Sequence, residues 1–156
     1  MKLKKALVVA TLVSATALTA IGCSKEKIKD VPVSEIQTVV STEEYLPQAS
    51  TAIDAKDHWI FENVKDAIVE GFVSQANINI KLQDVVVVKT TDTEAIVNAL
   101  NTYKEESLRL FAGGYGGEDN ATSVANAILE VKGDYVYFIA APNATAIETA
   151  ILNKIS

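Results

Sequence analysis

The stretch Leu82–Thr90, LQDVVVVKT, decides the fold class, because it carries the clearest secondary-structure signal in the chain. Its four consecutive valines are stiff at χ1 and favour the pleated backbone of a β-strand. Since side chains alternate along a strand, we expect Val86 and Val88 on one face of a sheet. Val85 and Val87 should then face the other side, and at least one of the two pairs should be buried.

The neighbouring segments predict a strand before this stretch and a helix after it. Residues 66–76 read as a strand that forms a hairpin with 82–90, although the apolar residues of 64–73 also fit a helical face, and both readings remain open. Downstream, Thr91–Glu94 has the spacing of a helix-capping box. The apolar positions that follow it keep helical spacing as far as Phe111, and Gly113 is expected to end the helix.

The C-terminal part repeats this arrangement. Residues 125–131 and 135–140 predict two strands joined by a turn at Gly133. Pro142 and Asn143 begin a last helix, with Asn143 as its cap and with Ile147, Ile151 and Ile155 on one face.

Two hairpins, each followed by a helix, predict an α+β fold. We expect a two-layer domain in which an antiparallel four-stranded sheet, in the order strand-strand-helix-strand-strand-helix, has its helices packed on a face. Before this unit, Ser34–Gln37 has capping-box spacing and predicts a short helix. The segment 52–64, AIDAKDHWIFENV, reads as a short helix or turn that pins its aromatic residues to the core.

The first 22 residues have the pattern of a secretory signal peptide. Three lysines lie near the start, residues 6–21 are uncharged, and Gly22 is a small residue at the exit. The run is shorter than the about 20 apolar residues that span a bilayer, and it is rich in Thr and Ser. A permanent membrane span is therefore the weaker interpretation.

The segment Ala20–Cys23, AIGC, resembles a bacterial lipobox, with Ala20 where Leu is usual. The resemblance implies cleavage between Gly22 and Cys23 and a diacylglyceryl group on the Cys23 sulfur. The alternative is an ordinary signal peptide with a stray cysteine. We therefore predict a signal peptide at 1–22, a lipidated N-terminus and solvated tether at 23–32, and one domain at 33–156, held at the cell membrane outside the cytoplasm.

Charge limits the partners of this domain. Residues 1–22 contain three lysines and no acidic residue, so cleavage changes the formal net charge from −6 to −9. A nucleic-acid-binding face needs an excess of basic residues, so nucleic acid is excluded as a partner. The membrane is expected to be reached through the lipid on Cys23 rather than by charge.

Few residues point to chemistry. The chain has one histidine and one cysteine, too few for a zinc site, so neither a metal nor a cofactor is predicted. His58 could serve a cell-envelope hydrolase together with an acid or a serine, but the chain has no GxSxG motif. That alternative requires His58 to lie in a cleft.

The segment 113–120, GGYGGEDN, reads as a flexible surface loop. It lacks the Lys-Ser/Thr of a P-loop, and Glu118, Asp119 and Asn120 lack EF-hand spacing. Mobile loops often carry binding residues, so we take Tyr115, Glu118 and Asp119 as candidate ligand contacts.

Over its mature length the chain resembles a family of small lipoproteins of Gram-positive bacteria, defined only by a domain of unknown function. The resemblance is carried by YLP at 45–47, VVVVKTTD at 85–92, Tyr115, and NAILEVKGDYVYFIAA at 126–141. It implies no known activity. Together with the lack of catalytic motifs, it favours a non-enzymatic module that binds an envelope protein, an envelope polymer or a small ligand.

The lipid anchor predicts the outcome of one substitution. In Cys23→Ser an oxygen replaces the lipid-accepting sulfur, so the variant should lose radioactive palmitate labelling. It should then be released or remain as an uncleaved precursor. Labelling that persists in Cys23→Ser, or a mature wild-type chain without acyl mass at Cys23, would contradict the assignment.

Overall fold

The computed structural model describes residues 27–156. The predictions that concern the signal peptide, Gly22 and Cys23 fall on residues 1–26 and lie outside the described residues.

The domain is built on one antiparallel sheet of five strands in the order β1-β2-β3-β5-β4. The strands are β1 (Ser50–Asp54), β2 (Ile68–Ala76), β3 (Asp84–Thr90), β4 (Ile128–Lys132) and β5 (Tyr135–Ala140). The hairpins β2–β3 and β4–β5 confirm the predicted pairings. Residues 68–76 form the strand expected at 66–76, while Lys65–Ala67 form a 3-10 turn before it. The β4–β5 turn contains Gly133, whose φ of +58° suits a residue without a Cβ.

Helices cover both faces of this sheet. Two of them, α1 (Val33–Val40) and α5 (Ala144–Ile155), pack on the face that presents Val85 and Val87. The opposite face, which presents Val86 and Val88, packs against α2 (Thr93–Thr102) and the segments after it, which include α3 (Arg109–Ala112) and α4 (Glu118–Ala125). The domain therefore has three layers.

The central position of β3 explains this arrangement. Val85, Val86, Val87 and Val88 are all completely buried, so both of the expected pairs lie in the core. Strand β3 has β2 on one side and β5 on the other, and every residue of β5 is buried. A sheet whose central strands are apolar on both faces needs a cover on each.

Two parts of the predicted architecture are wrong for physical reasons. The sheet has five strands rather than four, because β1 pairs with β2 and forms an exposed edge. This strand was not predicted because its short, mostly polar sequence, STAID, gives little strand signal. The helices do not lie on a single face, because β3 and β5 are buried on both sides.

Several element ends also differ from the predictions. Pro32 rather than Ser34 precedes α1, and Asp92 rather than Thr91 caps α2 by accepting a hydrogen bond from the Ala95 amide. Gly113 has a φ of −79°, so it lacks the left-handed conformation expected of a glycine after a helix. Residues 118–125 form α4, so the strand predicted at 125–131 begins later, at Ile128, and ends at Lys132.

Asn143 does precede α5, but its side chain makes no capping hydrogen bond. Its Nδ2 instead donates to the backbone oxygens of Glu44 and Tyr45, which ties the segment after α1 to the start of α5. Among residues 27–156, no helix has the length and apolar character needed to cross a bilayer.

The three-layer arrangement predicts similar effects on the two faces of β3. Val86→Ala and Val87→Ala each remove two buried methyl groups, so each should lower the free energy of unfolding by about 2 kcal/mol. Val131→Ala is the control, because that side chain is 41% exposed, and it should change stability by less than about 0.5 kcal/mol. Denaturant unfolding measures all three. A negligible effect at either buried position would contradict burial of that face.

Candidate functional site

A surface groove of about 370 Å³ runs between the segment 59–64 and the helix α2. Its lining is mainly apolar and also includes side-chain amides, hydroxyls and one carboxylate. The lining residues are Trp59, Ile60, Asn63, Val64, Ala95, Asn98, Ala99, Thr102, Tyr103, Glu106 and Ser107.

Helix α2 supplies one wall through residues that share a helical face. Ala95, Asn98, Ala99 and Thr102 follow the i, i+3, i+4, i+7 spacing, and all four line the groove. Ile96 and Leu100 instead belong to the core and are completely buried. The two alanines leave room above the helix, so the groove exists partly because this face of α2 has small side chains.

The helix widens where the groove ends. Residues Tyr103–Ser107 form a π-helical turn, in which the Leu108 amide donates to the Tyr103 oxygen at 3.3 Å. This turn brings Tyr103, Glu106 and Ser107 into the lining of the groove. Single π-helical turns occur frequently at functional sites, because they redirect side chains that a regular helix would place elsewhere.

Trp59 is the most prominent side chain in the groove. It is the only tryptophan of the chain, and it is 59% exposed. Its ring packs edge-on against Tyr103, with centroids 5.7 Å apart. The expectation that segment 52–64 pins its aromatic residues to the core is therefore correct for Phe61, which is completely buried, and wrong for Trp59.

His58 lies beneath this surface with both ring nitrogens used within the fold. Its Nδ1 accepts a hydrogen bond from the Ile60 amide at 3.3 Å, so Nε2 carries the proton and donates to Gln75 Oε1 at 3.1 Å. Burial lowers the pKa of His58, although the bond to Gln75 opposes the shift. His58 is 5% exposed and is not part of the groove lining. The hydrogen bond from the Ile60 amide to its ring holds the segment 58–60 in place.

Gln75 links His58 to a buried acid, Asp84. Its Nε2 donates to Tyr103 Oη at 2.9 Å and to Asp84 Oδ2 at 3.4 Å. The Tyr103 hydroxyl also donates to Asp84 Oδ2. A continuous network therefore runs from His58 through Gln75 to Asp84, and Tyr103 belongs both to this network and to the groove.

Asp84 is a buried carboxyl whose hydrogen-bond partners are neutral. Burial raises its pKa to about 6, while the hydrogen bonds from Tyr103 and Gln75 limit the rise. Burial also raises the pKa of Tyr103, as does the neighbouring charge of Asp84. Tyr103 therefore stays protonated and acts as the donor of the pair.

The residues predicted as a binding loop lie elsewhere, and two of the three are helical. Tyr115 is 47% exposed, but Glu118 and Asp119 form the first turn of α4 rather than part of a loop. Asn120, weighed as a weak calcium ligand, is buried and uses its side chain internally. Its Nδ2 donates to the Tyr115 and Ile80 oxygens, and its Oδ1 accepts from the Leu82 amide.

The structure does not bring the Tyr115 segment and the groove together: no residue of 113–119 lines the groove. Within residues 27–156, no three His, Cys, Asp or Glu side chains are grouped so that they could hold a metal ion. Local sequence patterns did not indicate the groove, because its lining comes from two separate segments, 59–64 and 95–107. The one available signal was Asp84, an acid placed directly before four valines in a buried strand.

These features define the chain as a small α+β domain with a mainly apolar groove beside a buried polar network. The chain belongs to the family of the domain of unknown function DUF4358, whose model matches residues 60–141, more than half of its length. The matched segment contains β2 to β5, α2 to α4, and most of the groove lining. The comparisons with curated proteins and with solved structures each gave no match.

The raised pKa of Asp84 predicts how stability depends on pH. The folded chain binds this proton up to about pH 6, whereas the unfolded chain releases it near pH 4, so stability contributed by the protonated form is lost as pH rises through that interval. A shift of this size corresponds to about 3 kcal/mol. Asp84→Asn, which cannot ionise, should therefore gain stability relative to wild type between pH 4 and pH 7.

Denaturant unfolding at both pH values measures this difference. Asp66→Asn is the matched control, because Asp66 is exposed, and its difference from wild type should not change between the two pH values. A wild-type minus Asp84→Asn difference that is the same at pH 4 and pH 7 would contradict the shifted ionisation.

Proposed function

We propose that this protein is an extracytoplasmic lipoprotein, attached to the membrane through Cys23, that acts as a non-enzymatic binding module. The sequence AIGC at 20–23 and the uncharged run before it support the anchor. The groove at Trp59 is the site where we propose that the ligand binds. The single observation that carries the proposal is this exposed indole above a fixed polar network.

The lining chemistry favours a neutral ligand. Among the described residues 27–156, no cationic side chain lines the groove and Glu106 is the one carboxylate that does, and cleavage before Cys23 takes the formal net charge from −6 to −9. Anionic groups such as phosphates would therefore be repelled rather than bound. A neutral ligand with one apolar face and several hydrogen-bonding groups matches what the groove offers.

A saccharide of the cell envelope has this combination. The C–H face of a pyranose ring packs on an indole, and its hydroxyl groups bond to side-chain amides and hydroxyls. Trp59 supplies the platform, while Asn63, Asn98 and Thr102 supply the polar rim. We therefore propose a neutral envelope glycan as the ligand.

Binding is favoured over hydrolysis by the position of His58. A hydrolase would need this imidazole free to take up a proton beside the substrate. In the structure both of its nitrogens are engaged, by Ile60 and Gln75, and the ring lies outside the groove lining.

The lone tryptophan allows a direct test. Full-length protein in detergent micelles is titrated with an N-acetylglucosamine oligosaccharide while the emission of Trp59 is recorded. We expect a saturable change in emission, because the indole becomes covered. Asn98→Ala should weaken binding about tenfold, the effect of losing one hydrogen bond of about 1.4 kcal/mol.

Asn101→Ala is the matched control. Asn101 is exposed on the same helix but does not line the groove. The Asn101→Ala variant should therefore bind the oligosaccharide with the same dissociation constant as wild type. Emission that does not respond to the oligosaccharide would rule out this ligand class. A saturable response to an amphipathic basic peptide instead would reassign the groove to a protein partner.

A further inference from the structure

The segment that leads into the domain is not a free tether. Residues 28–31 lie against one end of the sheet, where the Lys29 amide donates to the Ile155 oxygen at 2.8 Å. The Tyr135 hydroxyl accepts from the Val31 amide at 2.8 Å and donates to the Val31 oxygen at 2.6 Å. One tyrosine side chain thus satisfies both backbone groups of a residue 104 positions away.

Side-chain contacts reinforce this docking. Ile28 is half-buried and lies beside Gly133, and it packs on the core of the α1–α5 face. Asp30 forms an ion pair with Lys89, which projects from β3 next to Tyr135. The contacts therefore include an apolar side chain, the backbone and a charge pair, all at one end of the sheet.

We define this end as the Gly133 end, comprising the β4–β5 turn, Thr90 at the end of β3, and Ile155 at the end of α5. The Thr90 amide donates to the Asp134 oxygen in this turn at 2.8 Å, and residues 28–29 join the turn to α5, because Ile28 lies beside Gly133 and the Lys29 amide donates to the Ile155 oxygen. The opposite end, the Asp84 end, comprises the start of β3 and the Tyr115 segment that Asn120 ties to Ile80. Strand β3 separates the two ends by about 20 Å, at 3.3 Å for each residue.

Chain length then limits how far the domain can stand from its anchor. Cys23 and Ile28 are five residues apart, so a fully extended connection reaches about 17 Å. If residues 28–31 were undocked, the connection would run to Val33 and reach about twice as far. Docking therefore holds the Gly133 end next to the lipid.

Lysines and acidic residues are mixed at this end, where Asp30 and Asp134 lie beside Lys29 and Lys89, so the orientation rests on the short connection to Cys23 and not on net charge. Lys27 and Lys29 are exposed there, and juxtamembrane lysines are attracted to anionic headgroups.

Exposed apolar side chains lie at both ends: Val69 and Val131 near the Gly133 end, and Ile78, Ile80, Leu110 and Tyr115 at the Asp84 end, where Asn120 bonds to the Ile80 and Tyr115 oxygens. We define the four at the Asp84 end as the exposed apolar patch, which faces outward if the Gly133 end is held at the lipid and is suited there to contact a partner.

We infer that residues 28–31 act as an orienting clamp, which holds the Gly133 end against the phospholipid bilayer and directs the Asp84 end away from it. This inference rests on the proposed lipid anchor at Cys23. A flexible linker would leave the domain free to rotate, whereas the clamp presents the same surface outward in every copy.

Depth-dependent quenching tests the orientation. Cysteines are introduced singly at two exposed positions, Asp66 and Asn79. Asp66 precedes Ala67, whose oxygen accepts from the Thr91 amide at the Gly133 end, and Asn79 lies at the Asp84 end. Acylated Cys23 has no free thiol, so a thiol-reactive fluorophore labels only the introduced cysteine. The full-length lipoprotein is placed in phosphatidylcholine–phosphatidylglycerol vesicles that contain a headgroup-nitroxide lipid.

We expect quenching to be several-fold stronger at Asp66→Cys than at Asn79→Cys. Adding Tyr135→Phe and Lys89→Ala should reduce this difference, because the clamp is released. Tyr137→Phe is the matched control: it removes a hydroxyl from the same face of β5, but one that bonds Glu148, so the difference should persist. Circular dichroism verifies that each variant is folded.

The outcomes separate the inference from the proposed anchor. Chains that do not bind vesicles and lack acyl mass at Cys23 would overturn the anchor. Acylated, vesicle-bound chains with equal quenching at both positions would overturn the clamp alone. Stronger quenching at Asn79→Cys would also overturn it, and would identify the exposed apolar patch at the Asp84 end as the membrane-facing surface.

Discussion

The two-sided burial of β3 is the constraint on which the rest of the structure depends. All four of its valines are inaccessible to solvent, so the sheet cannot expose either face. The chain meets this requirement with two different covers: a pair of helices from its two termini, α1 and α5, and a run of shorter segments from its middle. The groove belongs to the second cover, where α2 meets the short turns before β2.

Burial of the same strand also explains the polar network. Asp84 is the first residue of β3, and hydrogen bonds from Gln75 and Tyr103 compensate part of the cost of burying its carboxyl group. Those two donors in turn connect to His58 and to the exposed indole beside it. Trp59 thus packs against two rings that the polar network holds in place, while its own ring stays largely exposed.

The sequence predicted the elements whose periodicity is strong and long. The valine run, the hairpin at Gly133 and the last helix were all identifiable, because each buries a regular set of apolar side chains. Strand β1 was not, since an edge strand with one large apolar side chain, Ile53, resembles a loop. Helix α4 was missed because four glycines nearby suggested a mobile loop, whereas the buried Asn120 side chain fixes this region through long-range hydrogen bonds.

The groove could not be predicted from local patterns. It joins residues about forty positions apart, and its floor depends on alanines, which carry almost no signal in either a helix or a loop. The same limit applies to Tyr135 and Val31, whose contact spans most of the domain.

The location of α1 and α5 has a practical consequence for how the domain is delimited. The family match ends at Ala141 and begins at Ile60, so it omits both helices and the edge strand β1. A fragment cut at those limits would leave Phe72, Val87, Tyr137 and Ile139 facing water on one face of the sheet and would also leave the edge of β2 unpaired, and both surfaces are prone to self-association. The smallest piece that can be handled as an autonomous folding unit is therefore larger than its family signature, and it extends to Ile155 at one end and to Ile28 at the other.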